Sequence, residues 1–413
     1  MSDAAGPAGS DTAGDAAADA ARARARESQR GPRPYVFLLV TGAVLALVNT
    51  YVGLRLLPSL PFGMAVRAIA IAVLGLSVVL VPAGVLARFL RRQWLARALA
   101  WASALTMGWL SSLVVLTLLR EIALGLAILA LPRAARADLG TWSALAVLAL
   151  AVAATVAGWI GARRRPRVKE VQVALPDLPA PLQGFVIVQI SDLHVSATLR
   201  RHYVDAVVDS VNGLDADLVA ITGDLVDGSV AQLAPQVEPL RRLASRHGTY
   251  FVTGNHEYYS GADAWTAQLR RLGLHVLLNE HVVIEHGGAG LVLAGVTDTS
   301  AHQFDPARRS DPRSALDGAP ARVRPRVLLA HRPRSAPAAA AAGFDLQLSG
   351  HTHGGQFWPW NLIVRWQEPL AIGLDRLDGL WVYTSRGTGY WGPPQRLGVP
   401  SEITRLRLVR APG

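Results

Sequence analysis

The 413-residue sequence contains no cysteine. Disulfide staples, thiolate metal sites and cysteine nucleophiles are therefore excluded. Lysine is almost as scarce, since Lys169 is the only one among 41 basic residues. Charge of either sign is thin: 17% of residues are charged, against roughly a quarter in an ordinary soluble domain. The hydrophobic fraction is correspondingly high, at 51%, and it concentrates in the first 165 positions.

Residues 1–34 have little to bury and are read as a disordered tail. Four apolar runs follow, at 35–54, 68–87, 98–118 and 142–161. Each offers about 20 uncharged residues, the length of a bilayer-spanning helix. A buried core helix would explain one such run, but four in succession argue for a membrane region over 35–162. A signal peptide fits poorly, because the preceding tail is long and no small-residue cleavage site is evident. The third run is the least defined, since apolar sequence resumes after Arg120 and Glu121 and continues to residue 131.

Basic residues orient spans, because short cytoplasmic loops are enriched in them. The tail, the loop after the second run and the segment after the fourth together hold 14, and the two opposite loops hold five. A multi-pass protein of the cell membrane is expected, with the N-terminus and the C-terminal domain in the cytoplasm. Were the third run not a single span, the C-terminal domain would lie on the other side. Residues 163–183 read as a basic linker leading into that domain, at 184–410.

From residue 168 short β-type runs recur, at 185–190, 218–222, 250–252, 291–295, 327–330, 346–348, 380–384 and 403–409. Helical patterns at 202–212 and 230–246 separate the early ones, and 336–342 reads as an alanine-rich helix. Strands alternating with helices, then strands without them, predict an α/β domain of two mixed sheets. Polar blocks sit where strands end: Ser191-Asp192-Leu193-His194, Gly223-Asp224-Leu225-Val226-Asp227, Gly254-Asn255-His256-Glu257, His331, and Gly350-His351-Thr352-His353-Gly354-Gly355. Sites on α/β sheets form at the carboxyl ends of strands. Five such ends delivering Asp, His and Asn to one crevice would make a hard metal site with nitrogen and oxygen ligands.

These blocks resemble the calcineurin-like metallophosphoesterase superfamily, whose order is D-x-H, G-D-x-x-D, G-N-H-E/D, a lone His, then G-H-x-H. All five are present in order, and the block from Gly350 to Gln356 looks closest to the membrane-associated bacterial branch. The resemblance covers about 240 residues and none of the apolar runs. It implies that Asp192, His194 and His353 hold one metal ion. Asn255, His331 and His351 would hold a second, with Asp224 bridging the two. His256 would face the phosphate as the catalytic histidine rather than ligate. Asp227 and Glu257 would orient ligands or cap loops, and Gly223, Gly254 and Gly350 would allow the tight turns that aim them.

The chemistry asks for such groups. A phosphoester repels nucleophiles, and two divalent ions neutralise that charge and make a shared water more acidic. Imidazole and carboxylate ligands suit Mn, Fe or Zn. The expectation is a membrane-anchored, dinuclear hydrolase of a phosphomonoester or phosphodiester, with a lipid-linked substrate among the alternatives. A phosphoesterase-like scaffold without activity is the second reading, opposed by the intact ligand set and His256. A nucleic-acid or nucleotide phosphodiesterase is the third, prompted by a net charge of +11. Yet 19 of the 41 basic residues precede Glu170, beside the apolar runs, so no nucleic-acid partner is expected. Arg200 and Arg201 could meet a phosphate or simply begin a solvated helix. Phe357, Trp358, Trp360, Trp366, Tyr390 and Trp391 could rest among lipid headgroups or pack the domain.

Overall fold

The computed structural model of the protein describes residues 34–87, 90, 92–130 and 132–411. Apart from Pro34, the expected tail lies outside these residues. Of two compact units, the one ending at Val44 contributes only the opening turns of the first helix among the described residues. The other, Leu45–Gly413, holds everything that follows.

Four long apolar helices come first: α1 (Pro34–Leu56), α2 (Met64–Leu86), α3 (Gln93–Ala130) and α4 (Arg133–Arg163). All four are long and apolar enough to cross a membrane. The third run is one unbroken helix of 38 residues. It runs through Arg120 because that guanidinium is satisfied where it lies. Arg120 donates to the carbonyls of Arg55 and Gly140 and to the hydroxyls of Ser59 and Ser143, and it pairs with Glu121 at 2.8 Å. A buried charge left unpaired would cost several kcal/mol, so this cage is what lets an arginine sit inside apolar sequence.

The remainder is two six-stranded sheets face to face. Their strands are β1 (Arg167–Leu175), β2 (Val186–Ile190), β3 (Leu218–Ile221), β4 (Thr249–Phe251), β5 (His275–Val276), β6 (Glu280–His286), β7 (Ala289–Gly295), β8 (Arg326–Leu329), β9 (Leu346–Ser349), β10 (Gly373–Leu377), β11 (Leu380–Thr384) and β12 (Glu402–Arg410). The first sheet has the order β1-β12-β2-β3-β4-β5, and the second β10-β11-β9-β8-β7-β6. Strands β2 to β5 run parallel, as do β7, β8, β9 and β11. The strands between the helices are apolar on both faces, as expected of parallel strands covered on both sides.

Side chains from both sheets interdigitate, with Ile187, Leu218 and Leu406 meeting Leu293, Val327, Leu346 and Tyr383. Helices α5 (Arg201–Asn212), α6 (Val230–Val237), α7 (Asn255–Ser260) and α8 (Ala262–Arg271) follow in the first half. Of these, α5, α6 and α8 cover the first sheet, using Val204, Val207, Leu233 and the fully buried Trp265. Helix α9 (Ala336–Ala342) covers the second. Each aliphatic side chain so buried contributes about 1.5–3 kcal/mol. Gln189 on β2 donates to Ser349 O at the end of β9, joining the two sheets where the polar blocks emerge.

The stretch 163–183, read as a linker, is largely structured. Strand β1 pairs in parallel with β12 over its full length, from Arg167 with Glu402 to Leu175 with Arg410. Only residues 164–166 separate α4 from the sheet.

Candidate metal centre

Three buried groups, Asp192, His194 and His353, bring ligand atoms within 4.8 Å of one another, and Asp224, His331 and His351 do the same. The clusters touch: His194 Nε2 lies 3.1 Å from His353 Nε2 and 3.7 Å from Asp224 Oδ2, and His331 Nε2 lies 3.1 Å from that same oxygen. Asp224 thus stands between the clusters.

The strand ends turn unusually sharply. Asp192, His194, Asp224, His351 and His353 all have positive φ, between 49° and 71°. Left-handed backbone is uncommon outside glycine and costs about 1–3 kcal/mol where it is strained. Here it turns two residues of a D-x-H or H-x-H block into the same crevice. The three expected turn glycines divide. Gly223 has φ of +88° and needs the left-handed region. Gly254 and Gly350 have ordinary backbone but abut the Asp224 and Asp192 carboxylates, which any Cβ would strike.

Hydrogen bonds fix how each ligand presents itself. His331 Nδ1 donates to Thr222 O at 2.8 Å, which turns Nε2 toward the Asp224 carboxylate. Asn255 Oδ1 is buried without a hydrogen-bond partner. An orphaned buried polar atom costs about 1–3 kcal/mol. An orphaned amide oxygen together with the clustered carboxylates and imidazoles is a donor set that fits a divalent cation. The Asp192 carboxylate accepts from His351 N at 2.9 Å, and Asp224 Oδ1 accepts from His256 N at 2.9 Å. Glu257 accepts from the backbone N–H groups of Asp224, Leu225 and Gly254, so it holds the Asp224 loop.

His256 lies beside the clusters, its Nε2 4.0 Å from Asp224 Oδ2. Asp227 Oδ1 contacts Nδ1 of both His194, at 3.0 Å, and His256, at 2.6 Å. One carboxylate accepting from both Nδ1–H groups sets both tautomers and leaves both Nε2 atoms facing the crevice. Burial opposes the Asp227 charge, but the two histidines outweigh it and hold its carboxyl down at about 2.

Each cluster contains one histidine pushed up and one pushed down. Burial works to lower His194, yet Asp227 and the other carboxylates raise it to about 9. His331 is likewise raised to about 10, chiefly by Asp224 against burial. His351 falls to about 2 through burial and the neighbouring His331, and His353 falls through burial, His194 and Arg396.

Several contributors were not legible in the sequence. Arg396 is buried, and its guanidinium donates to the carbonyls of His353, Arg386 and Gly389 and approaches His353 Nδ1 at 3.3 Å. Its backbone N–H donates to Gly158 O of α4 at 2.8 Å. In so arginine-rich a chain nothing in composition marks this one, though its place in a Gly-Pro-Pro-Gln-Arg loop is a weak signal. Tyr259 and Trp391 flank His256, with ring centroids at 5.3 and 5.5 Å. The Gln356 side chain grips Trp391 twice, donating to its carbonyl and accepting from its N–H.

Arg201 is occupied by Pro235 O and Asp205, as suits a helix start. Phe357 and Tyr390 are buried, whereas Trp360, Trp366 and Trp391 are exposed. The remaining histidines lie outside the centre; His247 and His286, for example, meet each other at 3.0 Å beside Phe185.

The family model for calcineurin-like phosphoesterase matches residues 185–355. The proteins named transmembrane protein with metallophosphoesterase domain from Danio rerio and Bos taurus are 37% and 41% identical, over 64% and 65% of this chain. The alignment spans 63% of each, so the chain covers a little under two thirds of those relatives. An uncharacterised metallophosphoesterase of Aquifex aeolicus is 32% identical over 59% of this chain and 91% of its own length. Another, from Campylobacter jejuni, is 34% identical over 64% of this chain and 69% of its own. The model match begins at the strand that delivers Asp192 and ends just past His353, over the same blocks that converge in the crevice, and the chain belongs to the calcineurin-like metallophosphoesterase family.

Proposed function

We propose that the protein is a membrane-anchored phosphoesterase that uses two divalent ions to hydrolyse a lipid-borne phosphoester. The observation carrying this reading is the pair of ligand clusters sharing Asp224, with His256 beside them and held by Asp227. Asp192, His194 and His353 would hold one ion and Asn255, His331 and His351 the other, with Mn, Fe or Zn suited to both. Ions held there supply charge neutralisation and a more acidic water near neutral pH. His256, with Nδ1 committed to Asp227, presents Nε2 to the substrate, where it stabilises a phosphoryl oxygen or returns a proton to the leaving group. Asp227 keeps that tautomer, and Glu257 keeps the Asp224 loop from shifting.

The lipid preference is supported by where the crevice opens. Trp391 and Tyr259 present exposed rings beside His256. Helix α10 (Trp360–Gln367) buries none of its side chains, and Trp360 Nε1 donates to Ser111 Oγ of α3. The site is therefore built against an apolar helix rather than hung from a long tether. The excess of basic residues on one side of the spans, 14 against five, supports a cytoplasmic catalytic domain.

The test uses the purified full chain, stripped with a chelator and reloaded with Mn, Fe or Zn. Bis-p-nitrophenyl phosphate should be hydrolysed only after reloading, and full activity in a rigorously metal-stripped sample would overturn the reading. A lipid phosphoester should show a higher kcat/KM than its soluble headgroup, and equality would remove the lipid preference alone. A reporter fused at the C-terminus should read as cytoplasmic.

A further inference from the structure

The apolar bundle carries a cleft of about 410 Å3 between α3 and α4. Ligand sites commonly span roughly 300–1,000 Å3. Leu105, Thr106 and Trp109 of α3 form one wall, and Val152, Thr155, Val156 and Trp159 of α4 the other. Of the two threonine hydroxyls among these, that of Thr155 is spent within its own helix, donating to Ala151 O. The lining is otherwise methyl groups and ring faces, and Val152 and Val156 stay about half exposed along it.

One end differs from the rest. Arg163, one helical turn past Trp159, lies 5.2 Å from the Trp159 ring centroid and 5.3 Å from that of Trp101. Its side chain is exposed and followed by exposed Arg164 and Arg165, and no described carboxylate pairs with it. An apolar slot about 10 Å long with a fixed, unneutralised cation at its end matches a molecule with an alkyl chain and an anionic head. This end of α4 also lies against the loop that carries Arg396, whose N–H donates to Gly158 O. Burial holds the Tyr390 hydroxyl above its ordinary value, and Arg163 is among the groups opposing that rise. Tyr390 directly precedes Trp391, the ring beside His256.

We propose that this cleft binds one anionic phospholipid, with an acyl chain between α3 and α4 and its phosphate at Arg163. The proposal rests on the reading that these helices span a bilayer, and not on hydrolysis at the metal centre. A lipid so placed has its head beside the loop that carries Tyr390 and Arg396.

Native mass spectrometry of the full chain in mild detergent tests this without any activity. The probes are palmitoyl-oleoyl phosphatidylglycerol and the phosphatidylcholine with the same chains. Phosphatidylglycerol should add first as a single adduct, favoured by roughly fivefold, the scale of one basic side chain at an anionic surface. Arg163→Gln should remove the headgroup preference and leave binding of both lipids. Val156→Trp, which fills the slot, should abolish the single adduct. Leu150→Trp, on the opposite side of α4, should not, and melting followed by circular dichroism shows whether each variant is folded. Equal binding of the two lipids to the unaltered protein would overturn the proposal. So would identical adducts from folded Val156→Trp and Leu150→Trp. Neither result would bear on hydrolysis of a soluble diester, which remains a separate measurement.

Discussion

The two ligand clusters use similar residue types but are held in different ways. The cluster of Asp224, His331 and His351 leans on the sheets themselves: His331 follows β8 and donates to Thr222 O, just beyond β3. The cluster of Asp192, His194 and His353 leans on a loop. Thr388 N donates to Ser191 O, Gly389 N donates to Asp192 O, and Arg396 gathers the carbonyls of His353, Arg386 and Gly389. That loop is in turn seated on the helical bundle through Arg396 N on Gly158 O, Gln395 against Gly108 and Gly158, and Gly392 against Met107. One half of the centre thus rests mainly on the α/β domain, and the other also rests on a loop seated on the apolar helices.

The comparison breaks most completely at the group common to both halves. Asp224→Ala should reduce diester hydrolysis to background and remove both ions, measured as metal per chain by elemental analysis. His256→Ala should leave the metal content of both halves in place and lower kcat by roughly 10²-fold, the scale for losing a positioned acid or charge stabiliser. If His256→Ala lost its metal while Asp224→Ala kept it, the roles would have to be exchanged. A more selective cut falls on Arg396. Arg396→Gln should weaken one of two ions by about 10–100-fold, as loss of a ligand-orienting partner does, and leave the other tight. A chelator titration then shows two steps in place of one, whereas a uniform weakening of both ions would erase the distinction between the halves.

The residues that converge in the crevice were legible because each is a polar residue interrupting an apolar strand end, and five such interruptions fall in a known order. Their geometry was not. Nothing in Asp192-Leu193-His194 announces two left-handed residues, because that conformation is imposed by the turn and by the Asp224 loop packed against it. Gly254 and Gly350 read as turn formers but serve to let carboxylates approach. Strand β1 escaped notice because its opening, Arg167-Val168-Lys169-Glu170, carries the charge of a linker. Its pairing with β12 supplies order that local composition does not. Lys169 shows the same override: by sequence it belongs to the basic linker, but its ammonium lies 5.5 Å from the Tyr383 ring centroid. Arg396 was missed because its importance lies in joining carbonyls of its own loop, those of Arg386 and Gly389, to the distant carbonyl of His353, a pattern visible only once the chain is folded.

The smallest expected effect is also the sharpest test of whether the bundle supports the centre. Gly158 and Gly161 sit one turn apart on α4, both against the loop that carries Arg396. A methyl group on Gly158 would meet Gln395 Cβ and Cγ at 3.2 and 3.3 Å, a tight fit that a shift of a few tenths of an ångström relieves. A methyl group on Gly161 would instead strike the Arg396 carbonyl, which is backbone and cannot yield without moving the loop. Gly158→Ala should therefore be close to neutral, or gain a few tenths of a kcal/mol from alanine's higher helix propensity. Gly161→Ala should cost about 1–3 kcal/mol of packing strain and shift the Arg396 guanidinium from the His353 carbonyl. Its kcat for a soluble diester should fall several-fold, with weaker binding of the same single ion that Arg396→Gln weakens. Combining Gly161→Ala with Arg396→Gln should then add little, because both act through one contact. Full additivity of the two substitutions, or an unchanged ion affinity in Gly161→Ala, would mean that the bundle anchors the domain without positioning its ligands.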